Sequence, residues 1–102
     1  MTHPPADSLW PDSPIQAAFE SFHAEHPEVY AMFRDYAAKA RAAGFTRFSA
    51  DMICHRIRWY HHVERGARDF KINDHFTSRY ARKLMSDDAS FAGFFETRVL
   101  RS

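Results

Sequence analysis

Apolar residues recur along this chain at helical spacing in four separate runs. Ser13-Pro14 supplies a cap followed by a proline at the first helical position, and Ile15, Ala18, Phe19 and Phe22 then fall on one side. Pro27 ends or bends that helix and can itself open a second, with His26 before it and Glu28 in its first turn. Val29, Met32, Phe33, Tyr36, Ala37 and Ala40 give the second helix one apolar face, and Lys39, Arg41 and Gly44 mark its end. Ser49 reads as the cap of a third helix with Asp51 in its first turn. Its buried face is Ile53, Ile57 and Tyr60 or His61, with Met52 and Trp59 at the edges and Arg56 and Arg58 more exposed. The run Trp59-Tyr60-His61-His62 closes it against a neighbour.

The fourth run organises the rest. Asn73 or Asp74 can cap it, and Phe76, Tyr80 and Leu84 recur every four residues with Ala81 alongside. The opposite face carries His75, Thr77, Ser78, Arg79, Arg82 and Lys83, with no carboxylate between His75 and Met85. Short non-helical pieces complete the pattern. Phe45-Thr46-Arg47-Phe48 reads as a very short strand, 63–69 with Gly66 as a loop, and Ser86 to Ser90 as a break. After Gly93, the alternation of Phe95, Thr97 and Val99 reads as a turn and strand, or as a strand paired with the segment near Phe45.

Helix, helix, short strand, helix, loop, helix and strand-like tail is the order of a winged helix, a mainly α fold with a small β element. The loop 63–72 is long for a helix-turn-helix turn and the tail short for two wing strands, so the alternative is an all-α helical bundle with an extended C-terminal tail. Length sets one compact domain over 15–102, preceded by a leader over 1–14 that holds four of the five prolines and reads as extended and flexible. Ten phenylalanines let so short a chain bury much area with few residues.

Charge is uneven. Residues 1–44 carry three Lys/Arg against six Asp/Glu, a net −3, and residues 45–102 carry eleven against seven, a net +4. That asymmetry points to an anionic partner for the second half. The lone Cys54 excludes an internal disulfide and suits a reducing cytoplasm; no apolar run reaches membrane-spanning length, so no membrane association is expected.

Catalysis and metal binding find little support in the residue pattern. His61-His62 with Cys54, His55 and His75 is the densest set of possible ligands, but it lacks the two tight ligand pairs of structural zinc; His23 and His26 are a looser set. Cys54 inside a helix reads as a small hydrophobe, and Glu64, Asp69 and Lys71 make only a loose acidic and basic set. The expectation is therefore no enzyme, no metal and no cofactor.

At Arg58-Trp59, Phe70-Lys71-Ile72-Asn73, Tyr80-Ala81-Arg82 and Phe94-Phe95-Glu96-Thr97-Arg98 the chain resembles a set of short bacterial and phage or prophage proteins of unassigned function. The resemblance spans roughly 15–98 and implies a small DNA-binding regulator or an inhibitor of a host system. Read from the residues, the leading expectation is a monomeric or homodimeric protein that binds double-stranded DNA. A helix entering the groove N-terminus first places Asn73, His75 and Ser78 near base edges, with Arg79, Arg82 and Lys83 near phosphates. Thr77 and Lys71 lie at the same end, and Arg98 falls on the wing. The plainer account is that these cations solvate the surface and pair with Asp69, Asp74, Asp87 or Asp88. The second expectation is a protein-binding inhibitor or adaptor anchored by Phe91–Phe95 and Trp59-Tyr60.

Overall fold

A computed structural model of the chain describes residues 14–95. Four helices follow one another: α1 Pro14–Glu25, α2 Pro27–Ala42, α3 Ala50–Trp59 and α4 Phe76–Asp87. The helical path of α3 continues through a wider π turn, Tyr60–Glu64, and α4 is followed by a single 3-10 turn, Ala89–Phe91.

The local signals act as their chemistry requires. Pro27 occupies the first turn of α2 and His26 leaves helical geometry (φ −131°), so α1 and α2 are joined through one residue. Gly44, at φ +104°, closes α2: its amide bonds to the Arg41 carbonyl (3.0 Å) and the Phe45 amide to Ala40 (3.2 Å). That pairing needs the left-handed conformation glycine adopts freely. Ser49 caps α3, its hydroxyl accepting the Met52 amide at 3.2 Å. Asn73 does not cap α4 itself but builds the turn before it, Oδ1 accepting the His75 amide at 2.9 Å.

α4 lies in the middle and packs on α1, α2 and α3. Tyr80, fully buried, sits within ring-contact distance of Phe19 from α1 (4.8 Å) and Phe33 from α2 (5.7 Å). Val29, Phe33, Ala37, Ile53, Cys54, Ile57, Phe76, Ala81 and Leu84 complete the interior. Three neighbours bury a wide arc of α4, which takes Thr77 and Arg79 inside along with the apolar stripe.

The winged helix is not what forms. The mainly helical class and the bundle alternative agree with the structure, whereas β structure among the described residues is one isolated parallel bridge, Phe48 with Phe95. The reason lies in the rings. Phe91, Phe94 and Phe95 are all buried, Phe95 against Phe33 at 5.3 Å, so the chain after Gly93 drives side chains into the core instead of alternating across a wing. Thr97, Val99 and Arg98, the rest of the expected strand, lie outside the described residues, as does the leader up to residue 13.

The long connection between α3 and α4 is strapped to the π turn. The Phe70 ring stacks on His61 at 3.7 Å, His62 Nε2 meets the Phe70 carbonyl at 2.6 Å, and the Ala67 amide donates to the His61 carbonyl at 2.7 Å. Arg58 reaches across to the Ile72 carbonyl at 2.9 Å, and Ile72 itself is buried. Widening one turn lets the consecutive residues His61 and His62 both face this segment.

Candidate functional site

Of the residues singled out for DNA contact, the structure gathers some and separates others. Lys71, Asn73, His75 and Arg82 are exposed. Thr77 is buried, its hydroxyl beside the Cys54 thiol. Burial pushes that thiol's pKa up, and the Thr77 contact partly offsets the effect. Ser78 is half-buried. Arg79 is only 7% exposed: Nε donates to Gln16 Oε1 at 3.0 Å and Nη1 to the His75 carbonyl at 3.1 Å, and desolvation lowers its pKa, with the Arg82 charge adding to the effect. Lys83 pairs with Asp87 at 3.3 Å and lies over the Tyr30 ring at 5.1 Å. Asp87 also accepts the Tyr30 hydroxyl at 2.7 Å, and that bond holds its carboxyl below the usual range.

Two depressions divide this set. Arg79, Arg82 and Lys83 line a cleft between α1 and α4 of about 470 Å³, together with Phe19, Glu20 and His23. His75, Thr77 and Ser78 face a different, larger groove of about 650 Å³ beside the start of α3, where Arg47 is accompanied by Asp51 and Asp74. The cations are therefore interleaved with carboxylates, and the helix face that carries no acid in sequence meets Glu20 and Asp87 in space. Arg98 lies outside the described residues.

Among the described residues no three His, Cys, Asp or Glu side chains converge as a metal would need, and Cys54 is fully buried. No described helix is long and apolar enough to cross a membrane.

The feature the sequence reading placed differently is the outer side of α3. Met52 and Trp59, expected at the edge of a buried face, are 57% and 51% exposed, and Val63 on the π turn is 59% exposed. Arg56 lies among them. Its guanidinium is 5.1 Å from the Trp59 ring and 5.4 Å from Tyr36 of α2, and it pairs with Glu64 at 3.4 Å. By contrast, the tail rings proposed as partner anchors, Phe91 with Phe94 and Phe95, are core residues. The usable signal was the interval pattern of Met52, Arg56, Trp59 and Val63, which are four, three and four apart and so repeat on one side of a helix. It was masked by Ile53 and Ile57, which make an equally regular stripe about 100° further round the helix.

The chain matches no known family model, no curated protein and no solved structure.

Proposed function

We propose that this protein is a small protein-binding module, an inhibitor or adaptor in type, whose docking face is the outer side of α3. The observation that carries the reading is the set Met52, Trp59 and Val63, each more than half exposed on one side of a continuous helical path around Arg56. Single exposed apolar residues are ordinary; several adjoining ones, rimmed by charge, characterise surfaces that meet another protein. Trp and Arg are the side chains that most often dominate binding energy, and Trp59 alone leaves on the order of 100 Å² to be covered. Arg56 is already stacked on Trp59 and Tyr36, so little side-chain freedom remains to be lost on docking.

The test is capture. Immobilised protein is expected to retain one partner in stoichiometric amount from nuclease-treated host lysate. Trp59→Ala should weaken retention by roughly 30-fold, the size of a hot-spot truncation, while leaving the thermal melt in place. Retention indifferent to Trp59→Ala and Met52→Lys, or no retention together with no self-association, would end the reading.

A second reading is favoured by one observation, the exposure of Lys71, Asn73, His75 and Arg82 around the first two turns of α4. In it the protein is a small duplex-DNA-binding regulator, in the phage or prophage setting that the sequence resemblance implies. Contacts from Lys71 and Arg82 give a shallow dependence on salt, with log K falling by about 0.9 per phosphate contact. Fluorescence titration of mixed-sequence duplex at several salt concentrations checks it, and binding absent at low salt removes it.

A further inference from the structure

We propose that the partner of this face is a second copy of the chain, docked with its α3 antiparallel to the first about a two-fold axis between Arg56 and Trp59. The inference rests on the protein-binding reading and gives it an occupant.

The spacing is the first argument. Met52, Arg56, Trp59 and Val63 follow the four-three-four interval by which two packed helices keep one seam in register. The π turn extends that seam: it carries Val63 on the exposed side and brings Glu64 to Arg56 at 3.4 Å, although the two are eight positions apart. The cation in the middle of an apolar seam thus arrives with its counter-charge, which lowers the cost of covering it.

The second argument is complementarity under a two-fold. An antiparallel arrangement sets Met52 of one copy against Val63 of the other and Arg56 against Trp59. Apolar side chains meet apolar ones at both ends, and the central contact is a guanidinium over an indole face, the favourable cation and ring pairing. Arg56 makes the same kind of contact within its own chain at 5.1 Å, and both side chains still keep about half of their surface in solvent. A parallel arrangement instead sets Arg56 on Arg56, two like charges in a partly dried interface, and is disfavoured. A formal net charge of +1 per copy puts little overall repulsion between the two.

Area sets the strength. Met52, Trp59 and Val63 are 57%, 51% and 59% exposed, over a path of three turns. Such a short helix pair covers on the order of 500 Å² per copy, below the ~800 Å² usual for a stable complex, so the dimer is weak and concentration-dependent.

Sedimentation equilibrium from about 1 μM to about 1 mM is expected to show reversible conversion of monomer to dimer, with a micromolar dissociation constant. Trp59→Ala and Arg56→Glu should each raise that constant at least tenfold without changing the melt. Register is tested by a short bismaleimide. Met52→Cys mixed with Val63→Cys should cross-link into a species of twice the monomer mass, and Met52→Cys alone should not. The native Cys54, fully buried, stays silent, and wild-type protein is the control. A monomer at every concentration overturns the inference, and cross-linking of Met52→Cys to itself as strongly as in the mixture overturns the antiparallel arrangement. If the chain is monomeric yet captures a different protein in a Trp59-dependent way, the second copy is wrong and the protein-binding reading survives. If neither occurs, both fall.

Discussion

Alanine at position 80 is expected to remove about 3–5 kcal/mol of folding stability, and phenylalanine at the same position to add about 1 kcal/mol. The opposite signs come from the two parts of one side chain. The ring of Tyr80 is fully buried and meets Phe19, Tyr30 and Phe33 at 4.8, 6.3 and 5.7 Å, which ties α4 to both α1 and α2. Truncation leaves a cavity that three helices cannot collapse into together. Its cost is a large share of the 5–15 kcal/mol that holds a domain of this size and lowers the melting temperature by more than about 12 °C. The hydroxyl behaves differently. It is buried with no hydrogen-bond partner among the described residues, and burial raises its pKa far above the ordinary tyrosine range. Deleting it relieves a desolvation penalty and leaves the packing almost untouched. Urea denaturation of both variants checks the pair. A loss of stability in Tyr80→Phe would show that the hydroxyl is bonded after all.

The second large effect concerns the segment between α3 and α4. Arg58→Ala is expected to cost about 2 kcal/mol and to speed amide exchange over residues 65–75 by roughly 30-fold, because a charged donor leaves a backbone carbonyl. The Arg58 side chain is 17% exposed, and one Nη2 serves both the Ile72 carbonyl at 2.9 Å and Asp74 Oδ1 at 3.0 Å. These two bonds are not equal. Asp74 is 95% exposed, so water screens its share, and Asp74→Ala should cost less than about 0.5 kcal/mol. The carbonyl bond closes a part-buried turn beside buried Ile72. Hydrogen exchange on the two variants separates them: equal acceleration in Asp74→Ala would assign the strap to the ion pair instead.

Helix positions were legible because their signals are local. Proline at 14 and 27, serine at 49 and glycine at 44 act on the backbone within a turn of themselves, and each does so in the folded chain. The β element was misread because alternation in a short aromatic tail has two causes. A strand at a wing and a coil that inserts successive rings into a core look alike over Phe94 and Phe95, and only the position of Phe33 separates them. The strapped connection was hidden for another reason. Its bonds run from His62 and Arg58 to main-chain carbonyls and from the Ala67 amide to the His61 carbonyl, and main-chain groups carry no residue identity to read.

Periodicity in the chain sets the direction a helix must face, and for α4 that direction was correct: Phe76, Tyr80 and Leu84 point inward. How wide an arc is covered depends on how many neighbours arrive, which is a property of the assembled bundle. Three helices close around α4, so Thr77 and Arg79 pass from the expected wet face to the interior, and Lys83 finds Asp87. Around α3 the cover is narrower, and the outward arc keeps Met52, Trp59 and Val63 in solvent. Burial is a sum over partners distant in the chain, whereas spacing is a relation among near ones; the exposed outer face of α3 belongs to the first kind.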